Sequence, residues 1–570
     1  MTKHNSITKK RRRYLASLTA IMLMVLSFAG CSSDDVYTPG NEPELSYEDA
    51  VTETKTLMSK IQTKKVKDPY LDLDSGEMSE ADALADINTF PITVKGTGDI
   101  NLEIAGATEM TSESAPDDWL NVVAKNFNKE NHEINGKTIS VTVRQITSGE
   151  VVTYMMANAY QPQLFLPSAS PWASMLESSG IGMVKLSDKL VGNTAGILMK
   201  DKTYDEFIKK YKEATLDNVI NASIEGDVTF AYPNPYTSTT GLNGIGGILS
   251  AFNKKDPLSN ESATKLLEYQ KTAPPVAYTT AVLRNQAAKG VIDTMLMEEQ
   301  AYINTPELKN YKYIPFGIRH DHPLYTFDYC TSEQQEAAKL FTDYCLNDEN
   351  QKLATEKGFN HHDDYQSQDY GLSGSDWVNA QKIWKENKNG GKPIIAVFVA
   401  DTSASMDGEP INSLKSSLIS ASSYINSEHY IGLVSYDSDV TINLPINQFD
   451  NTQRAYFAGE VKNMTTNGNT CTYDATLTAI DMLLEKSKDV PDAKLMLFLL
   501  TDGAQNKGYS LKRIAPIVEG LQIPVYTIAY NYDDSSSELK TLSDINESAA
   551  LNANSDDIVN QLRNLFNTQL

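Results

Sequence analysis

The sequence predicts an α/β protein made of two large modules. From residue 93 to about residue 360, short apolar runs alternate with amphipathic helical stretches, a pattern typical of sheets with mostly parallel strands. A second series of the same kind occupies residues 392–570, where the run at 394–399 is apolar without interruption, as in a strand buried on both faces. The polar stretch 361–391 separates the two series and is expected to be a linker.

The composition is that of a globular, acidic protein. The chain has 570 residues, of which 41% are hydrophobic and 22% are charged, a balance that excludes wholesale disorder or a fibrous repeat. The formal net charge is −24, and six basic residues lie within the first thirteen positions, so the chain without that basic segment carries −30. Because so acidic a body repels phosphate backbones, nucleic acid is not expected as a partner.

The N-terminus has the pattern of a secretory signal. A basic stretch at 9–13 precedes a mostly apolar stretch at 14–28, and Ala29 and Gly30 come directly before Cys31. A basic region, a short apolar region and small residues describe a signal peptide, and the apolar stretch is too short to span a bilayer comfortably. The alternatives that this pattern leaves open are an uncleaved anchor and an ordinary signal without lipidation.

The small residues before the cysteine resemble a bacterial lipobox, with Phe28 where leucine is usual. The resemblance implies that residues 1–30 are a lipoprotein signal peptide and that Cys31 becomes the lipidated first residue, with acyl chains such as palmitate. It also implies that the protein is held at a membrane of the bacterial cell envelope and faces the extracytoplasmic side. Residues 31–92 are polar and turn-prone and are expected to form a tether, in which 46–64 are compatible with a short helix.

Hydroxyl residues precede several predicted helices of the first module. They are Ser112, Ser148, Ser168, Thr237 and Ser238. A helix N-terminus offers unpaired N–H groups and the positive end of the helix dipole, so several such ends around one cleft would hold a small polar or anionic solute. Two alternatives remain open: the hydroxyls are ordinary N-caps, or the cleft is degenerate and serves as a spacer or a protein-binding surface. The segment lacks a basic cluster for a multiply charged anion.

The order of these segments, together with a closing helix at 337–359, resembles that of bacterial extracellular solute-binding proteins. Those are the two-lobed binding components associated with transporters. The resemblance covers about 270 residues. It implies a two-lobed, periplasmic-binding-protein-like fold for residues 93–360, with the five hydroxyl residues as candidate solute-binding residues.

Oxygen-bearing side chains follow the apolar strands of the second module. Asp401, Ser403 and Ser405 follow the first strand on one loop, Asp502 follows another strand, and Thr470 lies on a third loop. In open α/β sheets, ligands bind beyond the carboxyl ends of the strands. Hard cations such as Mg²⁺ prefer oxygen ligands. Because several of these donors are neutral hydroxyls, the ion would stay partly unneutralised and could accept a carboxylate from another molecule.

These residues match the metal-ion-dependent adhesion site of the von Willebrand factor type A domain, which residues 392–570 resemble. The first three match its D-x-S-x-S element, with Ala404 where glycine is usual, the threonine stands four residues before Asp474, and the last aspartate belongs to a T-D-G element. The resemblance implies a doubly wound, Rossmann-like α/β domain that holds Mg²⁺, Mn²⁺ or Ca²⁺ and binds a protein ligand that offers a carboxylate. Each element alone is also compatible with an N-cap or a turn.

Two functions follow from the sequence. The first is a cell-envelope lipoprotein that binds a protein partner through the cation site of a membrane-distal C-terminal domain. The alternative is a solute-binding receptor or sensor that uses the 93–360 cleft, with the C-terminal domain recruiting a membrane complex. An enzyme is not expected, because the sequence has no phosphate loop, zinc-protease helix or nucleophile elbow. Cys330 and Cys345 are compatible with a disulfide or with two buried free thiols.

Overall fold

The structure is a computed structural model, and it describes residues 45–72, 84, 86–112, 115–272, 274–277, 280–290, 292–503, 505–530, 537–546, 550–553, 562, 565, 566, 569 and 570. The predicted signal peptide and the predicted lipidation site Cys31 lie outside these residues. In the part of the chain that is described, no helix is both long enough and apolar enough to cross a membrane.

The described chain begins with a helix and a short strand, α1 (Tyr47–Met58) and β1 (Thr63–Lys65). The side chain of Ser46 caps α1 by accepting a hydrogen bond of 3.2 Å from the backbone N–H of Asp49, as expected for serine at this position. Leu57 is buried on the inner face of the helix. Both elements pack on the C-terminal domain, as described below.

The first lobe of the N-terminal domain starts at residue 92. Its elements are β2 (Ile92–Val94), β3 (Ile100–Ala105), α2 (Trp119–Glu130), β4 (Glu133–Ile134), β5 (Lys137–Arg144), α3 (Ser148–Met156), β6 (Leu164–Phe165), α4 (Ser170–Ser178) and β7 (Met183–Ser187). Strands β3 and β5 pair in parallel, with Leu102 opposite Val141, and both of these side chains are fully buried.

The chain then crosses to the second lobe. Its elements are β8 (Ala195–Lys200), α5 (Asp201–Tyr211), α6 (Leu216–Ile224), β9 (Phe230–Pro233), α7 (Thr239–Phe252), α8 (Asn260–Gln270), β10 (Val276–Ala277), α9 (Thr280–Ala288), β11 (Thr294–Glu298), α10 (Glu299–Ile303) and β12 (Tyr311–Phe316). The described strands follow the order β10-β9-β11-β8-β12, and β8 is antiparallel to both of its neighbours.

The chain returns to the first lobe through β13 (Leu324–Phe327), α11 (Ser332–Cys345) and α12 (Asp348–Glu356). The first-lobe sheet then has the order β2-β5-β3-β6-β13-β7, with β4 paired to β5. The N-terminal domain is therefore two-lobed: each lobe has its own sheet, and the backbone passes twice between the lobes. This architecture confirms the predicted fold class.

The prediction that residues 361–391 form a linker is wrong. This segment contains α13 (Gly374–Asn387), which packs against α4, α7 and α8. The two tryptophans of this helix, Trp377 and Trp384, are buried in the core of the N-terminal domain. The segment has the polar composition of a linker, but the apolar area of these indole rings holds it on the domain.

The C-terminal domain is a sheet with helices on both faces. Its elements are β14 (Ile394–Asp401), α14 (Glu409–Ser422), β15 (Tyr430–Tyr436), β16 (Val440–Gln448), α15 (Asn451–Asn463), α16 (Thr472–Ser487), β17 (Lys494–Thr501), α17 (Leu511–Leu521), β18 (Val525–Tyr530), α18 (Ser537–Asp544) and β19 (Ala550–Ala553). The order is β1-β16-β15-β14-β17-β18-β19. Successive residues of β14 enter opposite cores, Val397 one and Phe398 the other, which confirms that this strand is buried on both faces.

Residues 45–72 were expected to belong to a tether, and this expectation is also wrong. Strand β1 pairs in parallel with β16, with Thr63 opposite Val440, and α1 packs on α16 and α17. Lys55 pairs with Asp481 at 2.6 Å. The segment therefore completes the C-terminal domain, and the order of the chain no longer places that domain farther from the predicted anchor than the N-terminal domain.

Candidate metal site and inter-lobe cavity

Asp401 stands at the carboxyl end of β14, which lies beside β17 in parallel. Its side chain is fully buried and is held by three hydrogen bonds. One carboxylate oxygen accepts from the backbone N–H of Ser403 at 2.8 Å. The other accepts from the hydroxyls of Thr501 at 2.6 Å and Tyr436 at 3.2 Å. These contacts fix the direction of the carboxylate.

The two serines connect Asp401 to Asp502. The hydroxyl oxygens of Ser403 and Ser405 are 3.1 Å apart, and Ser405 Oγ donates to Asp502 Oδ1 at 2.8 Å. Asp401 and Ser403 are buried, Asp502 is half-buried and Ser405 is exposed. The structure thus brings together four of the five predicted metal ligands, in a site that opens to solvent on the Ser405 side.

Thr470, the fifth predicted ligand, lies on a loop that runs beside the loop of the two serines. The backbone N–H of Ala404 donates to the carbonyl of Gly468 at 3.3 Å. The backbone N–H of Thr470 donates to Asn506 Oδ1 at 2.9 Å, and Thr470 itself is 4% exposed. Gly468 has a φ of +69°, and a Cβ there would lie 2.4 Å from Ser438 Oγ, so this turn requires glycine.

The electrostatics of the site favour a bound cation. Burial raises the pKa of Asp401, and the nearby charge of Asp502 adds to this shift. Burial also raises the pKa of Asp502. Two partly desolvated carboxylates among hydroxyl oxygens are stabilised by a positive charge. The donor set consists of oxygen atoms only and fits Mg²⁺ or another hard cation.

This site differs from one built on acidic and histidine ligands. Among the residues that the structure describes, no group of three or more His, Cys, Asp or Glu side chains could hold a metal ion. The candidate site has two carboxylates, and its other donors are hydroxyls. The role of Thr501 and Tyr436 in orienting Asp401 was not predicted from the sequence, although Thr501 belongs to the T-D-G element that located Asp502.

A cavity of about 730 Å³ lies between the two lobes of the N-terminal domain. We call it the inter-lobe cavity. It is lined by Thr89, Phe90, Pro91, Thr108, Glu109, Ser112, Ala115, Pro116, Asp117, Gln145, Ile146, Thr147, Ser148, Glu150, Ser168, Thr237, Ser238, Thr239, Thr280, Arg284, Ala288, Glu298, Gln300, Ala301, Asn304, Thr305 and Glu307. All five candidate solute-binding residues are among them, so the fold brings these five hydroxyls to one cavity. That they bind a solute stays a prediction.

Helix N-termini from both lobes meet at this cavity. In the first lobe, Thr147 caps α3 by accepting from the backbone N–H of Glu150 at 3.2 Å. In the second lobe, Ser238 caps α7 by accepting from the backbone N–H of Gly241 at 3.4 Å. A Cβ on Gly149 would lie 1.9 Å from the carbonyl oxygen of Tyr236, so glycine allows the two lobes to meet here. Capping and lining the cavity are therefore compatible roles.

Carboxylates also line the cavity, and the sequence did not predict them there. Five described lining residues are acidic, and Arg284 is the one basic side chain among them. The acidic residues are Glu109, Asp117, Glu150, Glu298 and Glu307. Glu298 is the last residue of β11. The rule that ligands bind beyond the carboxyl ends of strands, which pointed to Asp401, therefore applies to Glu298 as well.

Two of these acids contact basic side chains. Glu109 Oε1 lies 2.8 Å from His322 Nε2, and this contact lowers the pKa of Glu109 against the opposing effect of its burial. Asp117, in the first lobe, pairs with Arg284 of the second lobe at 3.2 Å. The Asp117–Arg284 pair is therefore a direct connection between the lobes.

The described cysteines are buried, and side chains of the stretch 361–364 pair with neighbouring residues. Cys330, Cys345 and Cys471 are buried free thiols, and burial raises the pKa of Cys471 to about 12, which disfavours a reactive thiolate. Asp363, in the histidine- and acid-rich stretch of the predicted linker, pairs with Lys189 at 2.7 Å. His362 contacts Glu299.

Two family models match the chain. The model of the von Willebrand factor type A domain matches residues 396–568, and that of the bacterial extracellular solute-binding protein matches residues 109–360. The chain therefore contains a bacterial extracellular solute-binding domain followed by a von Willebrand factor type A domain. This confirms the two domain resemblances found in the sequence. No curated protein sequence matches the chain.

Several solved structures are similar to parts of the chain. The von Willebrand factor type A structure from Catenulispora acidiphila is 17% identical over 31% of this chain and 42% of that chain, with a TM-score of 0.29. Iron-bound HitA from Pseudomonas aeruginosa is 15% identical over 51% of this chain and 99% of that chain, with a TM-score of 0.37. The sulfate-binding protein SubI from Mycobacterium tuberculosis H37Rv is 14% identical over 46% of this chain and 88% of that chain, with a TM-score of 0.34. This chain thus spans less than half of the first of these proteins, and similarities at this level add nothing to the domain assignments.

Proposed function

We propose that this protein acts outside the cytoplasm and binds a protein partner through a divalent cation. The ligands of that cation are Asp401, Ser403, Ser405, Thr470 and Asp502. The observation that carries the proposal is the connected set of contacts from Asp401 through the two serines to Asp502. A role in binding rather than in catalysis fits this arrangement.

The proposed ligands have two different roles at this site. Asp401 and Asp502 supply negative charge, the hydroxyls of Ser403, Ser405 and Thr470 supply neutral oxygens, and the bound ion would supply an open coordination position for a partner's carboxylate. Because the exposed Ser405 lies at the open side, the partner approaches from there. Thr501 and Tyr436 hold Asp401 in place.

Titration of the full chain with Mn²⁺ tests the metal site, followed by capture of envelope proteins with and without EDTA. Asp401→Ala is expected to abolish both Mn²⁺ binding and EDTA-sensitive capture while circular dichroism stays unchanged. Glu428→Gln is the matched control, because this carboxylate is exposed in the same domain and lies outside the site. EDTA-insensitive capture by the wild-type chain would contradict the proposal.

The inter-lobe cavity supports a second function, that of a solute-binding receptor or sensor. In this case the type A domain would recruit a membrane complex. The supporting observation is that one cavity of about 730 Å³, within the range of small-molecule sites, is lined by polar groups from both lobes. A thermal-shift screen of the full chain against small solutes tests this function, and the absence of any shift would count against it.

A further inference from the structure

The wall of the inter-lobe cavity has an excess of negative charge. Glu109, Asp117, Glu150 and Glu298 line it from both lobes, and Arg284, the one basic side chain among the described lining residues, is already paired with Asp117. Glu150 and Glu298 are 2% and 6% exposed. At low dielectric, charges of one sign on such a wall repel a ligand of the same sign strongly. The sequence suggested a small polar or anionic solute, and this wall disfavours the anionic kind.

Three hydroxyl groups in or beside the cavity wall donate their protons to these carboxylates. Ser168 donates to Glu109, and Thr280 donates to Glu298 Oε1 at 3.1 Å. Thr240 also donates to Glu298. An oxyanion needs free donors, and each of these hydroxyl groups has already committed its one proton. What the hydroxyls still offer to a ligand is oxygen lone pairs, which accept hydrogen bonds from an N–H group.

The N-terminus of α3, where an oxyanion would otherwise bind, already has a carboxylate of the chain itself. Glu150 is the third residue of this helix, and the hydroxyl of its N-cap Thr147 donates to Glu150 Oε2 at 2.9 Å. The negative charge therefore complements the helix dipole from within the domain. A sulfate or phosphate placed there would lie against Glu150.

Glu298 lacks a cationic partner among the described residues. Its described contacts are the hydroxyls of Thr240 and Thr280, and no described Lys, Arg or His forms an ion pair with it. Burial raises its pKa to about 7, and the charge of Glu109 adds to this shift. A buried carboxylate without a positive partner is costly, and a ligand that brings the positive charge removes that cost.

The size and the remaining wall distinguish an organic ligand from a bare metal ion. A volume of about 730 Å³ suits a molecule with a carbon skeleton, and Phe90, Pro91 and Ile146 form an apolar part of the wall. No described group of three or more metal-ligating acidic, histidine or cysteine side chains could hold an ion here.

We propose that the inter-lobe cavity binds a small organic cation, a protonated amine, whose N–H groups are recognised by Glu298 and the neighbouring carboxylates and hydroxyls. The apolar side chains of the wall accommodate the carbon skeleton of the ligand. This proposal rests on the second function above, solute binding by the N-terminal domain, and names its ligand class.

The test is calorimetric titration and thermal shift of the full chain in EDTA. The cationic probes are the hydrochlorides of putrescine and ethanolamine, and the anions are sodium sulfate and sodium phosphate. We expect at least one amine to bind and to raise the melting temperature, and neither anion to do so. Glu298→Gln, which keeps the shape of the side chain, is expected to weaken amine binding about tenfold, and Glu109→Gln gives a second variant in case the first folds poorly.

Glu213→Gln is the matched control, because Glu213 is exposed in the same domain and does not line the cavity. It should bind the amine as the wild type does. Binding of sulfate or phosphate without amine binding would overturn the ligand class and keep the solute-binding function. Binding of none of the probes would count against both. Amine binding that survives both Glu298→Gln and Glu109→Gln would place the ligand elsewhere and also overturn the proposal.

Discussion

Ser405 donates a 2.8 Å hydrogen bond to Asp502, a residue ninety-seven positions later in the chain. The contact exists because β14 and β17 are parallel neighbours whose carboxyl ends meet at one edge of the sheet. The loop after each strand therefore delivers its oxygen atoms to the same place. The geometry of the candidate metal site depends on this pairing and on the hydrogen bonds that orient Asp401.

Thr501 is a positioning residue for that site. Thr501→Val removes the hydroxyl that donates to Asp401 at 2.6 Å and keeps the volume nearly unchanged. We expect Mn²⁺ affinity to fall about tenfold, as when other outer partners of metal ligands are removed. Calorimetric titration measures the affinity. Thr501→Ser retains the hydroxyl and should restore binding, and equal affinities of wild type and Thr501→Val would show that this bond does not orient the ligand.

Leu57 tests whether the N-terminal segment belongs to the C-terminal domain. This side chain is 1% exposed and lies in the core between the sheet and its helices. Leu57→Ala is expected to destabilise the C-terminal domain by about 2–5 kcal/mol, since it leaves a cavity. Thermal unfolding followed by calorimetry measures the change. The exposed Thr52 on the same helix provides the control Thr52→Ala, and a tether without packing would tolerate both substitutions equally.

Glu298 should make the N-terminal domain less stable as the pH rises. Its folded pKa of about 7 lies above the usual glutamate value of 4.5, so between these values the folded state binds more protons than the unfolded state. The free energy of unfolding therefore falls as the pH rises through this window, by about 1.4 kcal/mol per unit of pKa difference. Above pH 7 the full cost of the buried charge is present.

Glu298→Gln removes this dependence. Urea unfolding at pH 5 and at pH 8 should show that the stability of the variant relative to the wild type increases between the two values. The exposed Glu213 provides the control, since Glu213→Gln should change nothing. A relative stability of Glu298→Gln that is the same at both pH values would contradict the raised pKa.

Cys31 determines the predicted membrane attachment. Cys31→Ser in the producing bacterium is expected to prevent lipidation, so that the protein leaves the membrane pellet and appears in the soluble envelope fraction. Fractionation followed by immunoblotting measures the change, and mass spectrometry of the wild-type N-terminus identifies the acyl chains. Cys345→Ser, which replaces a buried free thiol, should leave fractionation unchanged. A variant that stays in the pellet would contradict the lipobox interpretation.

The sequence by itself determined the two domain types and which residues are candidate metal ligands. The apolar run before Asp401 marks a buried strand, and the rule that ligands bind at carboxyl strand ends makes Asp401 and Asp502 neighbours before any coordinate is known. The N-cap hydroxyls of the first module, such as Ser238, follow equally from local chemistry. These features depend on short stretches of chain, which is why they could be identified.

Only the tertiary structure decided which domain each of these segments belongs to and which residues line the same cavity. The pairing of Thr63 with Val440 and the burial of Trp384 move two apparent linkers into domain cores, because packing across hundreds of residues outweighs polar local composition. Likewise, Glu298 is a cavity residue because the two lobes face each other across the cavity that it lines. The hydroxyls located in the sequence suggested a small polar or anionic solute, whereas in the folded chain acidic side chains line the same cavity. The sign of the charge in that cavity is a property of the assembled lobes.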